Sequence, residues 1–403
     1  MLDAGRLDIA AIDLQLGELG FFSMIDWLLA QNELHYSDYE AWRYGQLKSL
    51  DEKLMLNPQG LQKILENCTL NCQALGLSSE DQVYWRWDEP QGLALIASKN
   101  PKHHRLLTQC WIRPQDVPQL DLFMDNSALI VENKLRESLA ARSFELAAAE
   151  LQQLIELNPR QQRLGAYQDL INYAQHMQNN PIIEPGNIEA ELGGLEQEVQ
   201  PLAKETLGAL ARDYLTFGWR RLSASLTDVP FEQRTPKLHQ SYALMQVPDW
   251  PAVLQTLNVS SERYQHAALL ERLAVTYEAL RQQGEALMSW CLLIDRHDYY
   301  AATAMVKNGG IAINQLVDDF WEFDESWSIS CFPSLVLAKN PGLIQLLDEF
   351  PEFTHPTSLA MIVLLQCWIN EADEIAARQQ LKNLNPVLLR LYIELTRPDD
   401  KRV

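Results

Sequence analysis

From about residue 126 almost to the carboxyl end, apolar side chains recur at helical spacing. A 3.6-residue period sustained that long restricts a chain to packed helices, and tight breaks between them make sequential helices antiparallel neighbours. SALIVENKLRESLAARSFELAAAELQQLIELNPRQQRLGAYQDLINYAQHM, residues 127–177, divides into a helix, a turn near Ala141 to Ser143, an Ala-rich helix and a third helix. Residues 179–201, NNPIIEPGNIEAELGGLEQEVQP, hold three Pro, three Gly and five Glu without Lys or Arg, and read as an acidic linker or surface loop. A second break is expected at residues 226–240, LTDVPFEQRTPKLHQ.

Before residue 126 the texture differs. Residues 7–76 read as three or four short helices. Among them HYSDYEAWRYG, residues 35–45, carries end signals for a two-turn helix. Ser37 is expected to cap it with Glu40 closing a capping box, Tyr36 supplies the preceding staple, and Gly45 the left-handed stop. Tyr39, Trp42 and Arg43 share a face at i, i+3, i+4, and a helix this short must dock through its rings. Tyr39 and Trp42 are expected inside, with Asp38 and Glu40 facing solvent, while Arg43 stacks on Trp42, pairs with a neighbouring carboxylate, lays its stem along the core or reaches a partner. VYWRW, LALIAS and LLTQCWI, between residues 83 and 112, read as two or three short strands, with KNPKHHR as a turn holding His103 and His104.

The clearest internal unit is LLERLAVTYEALRQQGEALMSWCLLIDRH, residues 269–297. Leu270, Leu273, Ala274 and Tyr277 line one helix; Ala286, Trp290 and Leu293 line the next. Small Ala274 and Ala286 admit close approach, and Tyr277 and Trp290 fill the space beside them. The unit resembles a tetratricopeptide-repeat helix pair, with a turn one helical step longer and Asp298 where the closing Pro is expected. ELAAAELQQLIELNP (145–159) and EIAARQQLKNLNP (374–386) resemble degenerate relatives, each an Ala-rich helix ending in L-x-x-L-N-P. The resemblance implies helical-hairpin architecture. The family's peptide-clamping residues have no match here, so its ligand class is not implied.

Chemistry is less well marked. The sequence contains no G-x-x-x-x-G-K-[ST], G-x-G-x-x-G, G-x-S-x-G or H-E-x-x-H. Cys68 and Cys72 fall at i, i+4 but lack the second ligand pair zinc needs, so no metal and no cofactor is assigned. His297 beside Asp298 reads as the cationic end of the repeat's second helix. In VDDFWEFDESW, residues 317–327, Asp318, Asp319, Glu322 and Glu325 crowd one helical face. That face reads as solvated and acidic, above buried Phe320, Trp321 and Trp327, rather than as a cation site. With 54 acidic against 33 basic residues the formal charge is −21, a field that repels nucleic acid and anionic lipid and suits a basic protein partner. The amino terminus reads as neither signal peptide nor anchor, and six cysteines fit a reducing cytoplasm.

These observations predict a mainly α fold of helical-hairpin, solenoid-like repeats with a small amino-terminal helical module and a short strand-containing segment. The expected divisions are 1–78, 79–125, 126–178, the linker 179–201, and 202–403. The function expected is a non-enzymatic scaffold, adaptor or chaperone-like subunit binding other proteins. Tyr39, Trp42, Arg43, Asp318, Asp319, Glu322 and Glu325 are its candidate partner-binding residues. The alternative is an enzyme with a dispersed site, cation-dependent at the 318–325 cluster. A helix-turn-helix regulator over residues 20–76 is disfavoured by charge, since GLQKILENCTLNCQAL offers a single Lys.

Overall fold

The computed structural model describes residues 7, 9–19, 21–87, 94–113, 124–323 and 327–396. Among these the fold is mainly α, with twenty α-helices and one three-stranded sheet. No described helix is long and apolar enough to cross a membrane. The chain forms two compact units, Met1–Asp249 and Trp250–Val403.

The first unit begins with α1 (Ile9–Leu19), β1 (Phe21–Ser23), α2 (Met24–Ala30), α3 (Tyr36–Arg43) and α4 (Pro58–Ala74). There follow β2 (Ser78–Asp81), α5 (Pro101–Thr108), β3 (Gln109–Ile112), α6 (Met124–Ala140), α7 (Phe144–Leu157) and α8 (Leu164–Asn179). It closes with α9 (Ile188–Gly194), α10 (Gln200–Leu207), α11 (Ala211–Ser225) and α12 (Gln240–Gln246). One apolar cluster runs from Leu7 to Val247, so residues 1–78 share their core with α6–α12 rather than forming a separate module.

The sheet is small, and only its SSED strand, β2, has a sequence unlike a strand. β3 is central and antiparallel to both neighbours, with Trp111 opposite Phe22 on β1 and Ser79 on β2. Of the expected strands only Gln109–Ile112 is one; residues 88–93 lie outside the described residues. Residues 83–87 are instead strapped onto α3, Trp87 N donating to Arg43 O at 2.8 Å. The expected turn at His103 and His104 is α5, because Asn100 caps it through Lys102 N and Pro101 takes the first helical position.

Of residues 179–201, 180–187 are irregular with one 3-10 turn, but from Ile188 on the segment is not a loop. α9, a π-helical turn at Leu195–Val199 and α10 follow one another, and Ile188, Leu192, Leu195 and Val199 are buried at helical spacing. Glutamates on the other face masked that period. Residues 226–240 do separate α11 from α12.

The second unit is helical throughout its described residues. It comprises α13 (Trp250–Val259), α14 (Ala267–Ala279), α15 (Gln283–Asn308), α16 (Ile311–Phe323), α17 (Phe332–Lys339), α18 (Pro356–Ile369), α19 (Ile375–Leu384) and α20 (Pro386–Thr396). α14 and α15 pack as a hairpin around fully buried Leu270, Leu273, Ala274, Trp290 and Leu293, with Tyr277 half-buried. His297 leaves helical geometry at φ −144°, ψ 53°, and Asp298 receives Tyr299 N to start the continuation of α15.

Three hairpins, α6/α7, α14/α15 and α18/α19, share one turn. Arg142, Arg281 and Glu371 sit in left-handed geometry at φ 62°, 60° and 53°. In each, the following N–H bonds five residues back, Ser143 to Ser138, Gln282 to Tyr277 and Ala372 to Cys367. This is a Schellman closure. The L-N-P ends of α7 and α19 also match, with Asn158 and Asn385 extended before proline, as pre-proline sterics require.

Candidate functional site

The densest polar arrangement joins α3 to α11. Tyr36, Tyr39 and Arg43 lie at i, i+3, i+7 on α3, and meet Arg212, Asp213 and Thr216 on α11. Arg43 Nη1 donates to Asp213 Oδ2 at 2.8 Å and to Tyr39 Oη at 2.6 Å; Tyr39 Oη donates to the same carboxylate oxygen at 2.9 Å. Tyr36 Oη lies 2.9 Å from Thr216 Oγ1, and Arg212 bridges Asp213 to Asp26, the latter at 2.7 Å. Arg43 Nε is held by Trp85 O, and its guanidinium lies 4.7 Å from the Trp87 ring centre.

Burial opposes ionisation of Asp213. The Arg212 and Arg43 guanidiniums and the Tyr39 hydroxyl outweigh it and hold its carboxyl below the usual range. Burial, reinforced by Asp213, raises the Tyr36 phenol; the Tyr39 phenol is raised chiefly by burial, against the pull of Arg43. A carboxylate met by this many donors is a poor base and a poor ligand. It fastens two helices.

Three of the expected partner-facing residues are therefore interior. Tyr39, Trp42 and Arg43 are buried, Trp42 Nε1 donating to Ile96 O, so they offer no surface to a partner. Glu40, expected in solvent, is buried and bonded to Arg220, which also reaches Asp249 at 2.7 Å. The capping box does not form either. The helix starts one residue before Ser37, with His35 as its extended N-cap, and Glu40 is taken by Arg220. Gly45 does close the helix, at φ 68°. The α11 residues ARDYLTFGWRR carried the missed signal, since Arg212, Asp213, Thr216 and Arg220 recur on one face of an otherwise apolar helix.

Beside this clamp opens a cavity of about 420 Å³ in the first unit. Its polar wall is Glu40, Arg142, Arg220 and Arg221; Tyr44, Met177, Pro181 and Phe217 form its apolar wall. Arg221 is bonded to Glu191 at 2.9 Å and to Asn180 O at 2.6 Å. A second cavity of about 300 Å³ adjoins the Asp26–Arg212 pair and is otherwise mostly apolar.

In the second unit Asp318 and Glu322 are exposed one turn apart on α16, and Asp319 pairs with Lys339. Glu325 lies outside the described residues. Phe320 and Trp327 are buried, whereas Trp321 is 40% exposed, contrary to expectation, because it points off the face that packs Phe320 on Phe332. Among the described residues no three His, Cys, Asp or Glu come together as a metal site. A shallow cleft of about 590 Å³ lies at the α18/α19 turn, lined by Trp368, Ile369, Glu371, Ala372 and Glu374. Ile375 beside it is 74% exposed.

No protein-family model, curated protein or solved structure matches this chain.

Proposed function

We propose that the chain is a non-enzymatic scaffold, adaptor or chaperone-like subunit that binds other proteins through helical hairpins of tetratricopeptide-like kind. The observation that carries this reading is the α18/α19 turn. There Trp368, Ile369 and Ile375 meet Glu371 and Asp373 at one accessible end of a hairpin. Aromatic and aliphatic anchors ringed by charge are the usual make-up of an interface centre and rim. The acid there and on α16, at Asp318 and Glu322, favours a partner whose own apolar anchors are flanked by Lys or Arg. Six free thiols fit a reducing, cytoplasmic setting.

The test is quantitative affinity capture from the native host, comparing the unaltered chain with Ile375→Asp and with Asp318→Asn/Glu322→Gln. A protein depleted about tenfold by Ile375→Asp supports the reading, and its retention should fall with salt, more weakly in the α16 variant. Identical capture by all three chains would defeat it.

A further inference from the structure

We infer that the cavity between α3, α8 and α11 is a binding site for a small oxyanion, a carboxylate or phosphate, carried on an apolar or aromatic body. The inference stands apart from the scaffold reading, since it concerns other residues in the other unit.

Arg142 is a buried guanidinium whose one ion pair, to Glu40 at 3.7 Å, is loose. Arg142 is 7% exposed in its side chain, and lies over the Trp87 ring at 3.9 Å from its centre, with Tyr44 and Phe217 also around it. Its hydrogen-bond acceptors among the described residues are neutral, the Tyr44 hydroxyl and the Asp213 carbonyl. The nearest carboxylate, Glu40, is at 3.7 Å, beyond hydrogen-bond reach, and is engaged by Arg220. Arg142 Nε is buried with no acceptor. Five N–H donors in a planar fork suit a carboxylate or phosphate, and Arg142 still has a donor to give.

The surroundings fit such a guest. Three guanidiniums face this one space, and of the carboxylates around them Glu40 and Asp249 bond Arg220 and Glu191 bonds Arg221, so Arg142 is the least engaged. Arg221 and Arg220 each have a carboxylate behind them, Glu191 and Asp249, which holds both in place. The volume, about 420 Å³, is within the range of small-molecule sites, and Phe217, Met177 and Pro181 give an organic body something to pack against. Arg142 also occupies the left-handed turn position that glycine or asparagine would fill at no steric cost. Its side chain, unlike its backbone, has a use there.

The experiment titrates the full chain at low salt with phenyl phosphate, benzoate and inorganic phosphate, read by calorimetry. Saturable binding of at least one oxyanion below about 10 mM is expected. Phenyl phosphate exceeding inorganic phosphate identifies an esterified anion and benzoate exceeding both identifies a carboxylate, whereas inorganic phosphate equalling both would overturn the organic body. Arg142→Lys keeps the charge and removes the fork, and should weaken binding about tenfold. Gln178→Trp alters an exposed residue at the cavity wall, fills the space without touching the ion pairs, and should abolish binding. Because Gln178→Trp leaves the core intact, it remains decisive if Arg142→Lys fails to fold. No saturation with any of the three probes, or affinity unchanged in Gln178→Trp, would overturn the inference.

Discussion

α3 and α11 in the first unit are fastened by charge, whereas α14 and α15 in the second are fastened by fit. The first pair buries Arg43, Asp213, Tyr36 and Tyr39 in one hydrogen-bonded set, between residues some 170 to 180 positions apart. The second buries Trp290, Leu293, Leu270 and Ala274, with one part-buried polar link from Trp290 Nε1 to Glu278 Oε1 at 2.9 Å across 12 positions and exposed ones from Tyr300 and Asn308 to Glu271. A polar set confers order only when every member is present, and its failure leaves a bare charge behind. An apolar hairpin fails by degrees, according to the volume removed.

Asp213→Ala tests the first half of that contrast most severely. It strands Arg43 and should lower unfolding free energy by about 3 to 5 kcal/mol in denaturant titration, while Asp213→Leu combined with Arg43→Met should recover most of the loss. A single-variant loss under about 1 kcal/mol would show that the pair does not fasten the helices. Trp290→Ala should cost about as much, by the cavity it opens. Trp290→Phe sharpens the point: it keeps most of the packing, leaves Glu278 without that donor, and should cost about 1 to 3 kcal/mol.

The shared turn gives a smaller contrast. Glu371→Gly should raise stability by roughly 0.5 to 1 kcal/mol, as the left-handed strain disappears against a greater chain entropy. Arg142→Gly relieves the same strain yet removes a buried, ring-stacked guanidinium, so its net change should be a loss. If both variants gain equally, the Arg142 side chain does nothing for the fold.

Acidity separates two carboxylates, Asp213 and Glu278, by sign. The folded pKa of Asp213 is below its unfolded value, so its contribution is complete above about pH 4 and is lost as pH falls through the folded pKa. Glu278 is the reverse. Burial raises its carboxyl, against hydrogen bonds from Trp290 and Gly310 N, so its ionisation weakens the fold as pH rises from about 4 through the raised value. Stability measured from pH 3 to 7 should lose its acid-side slope in Asp213→Asn and its slope just above pH 4 in Glu278→Gln. Parallel curves for both variants would remove the distinction.

The same contrast governs what could be read in advance. The hairpin at 269–297 was legible because its partners are neighbours in sequence, and periodicity records neighbours. HYSDYEAWRYG was legible as a helix with buried rings. The fates of Glu40 and Arg43 were not, because Arg220 and Asp213 lie far along the chain and no local rule links them. Residues 188–201 were misread because glutamate and glycine outweighed four apolar residues at helical spacing. NPKHHR was misread because Asn-Pro, a turn signal in isolation, is also an N-cap followed by the first helical residue. In the second unit, Asp318 and Glu322 are exposed on α16 while Asp319 pairs with Lys339, and the exposed apolar side chains at the α18/α19 turn left no sign in a helix that is apolar all round.

The distance between Arg43 and Asp213 also sets a schedule. A ribosome adding 5 to 20 residues each second makes α3 roughly ten to thirty-five seconds before α11 exists. Throughout that interval the nascent chain holds a two-turn segment of Tyr, Trp and Arg without the carboxylate that completes it, too short to persist as a helix by itself. The segment holding α3 must wait, unfinished and adhesive, for a helix made 170 residues later.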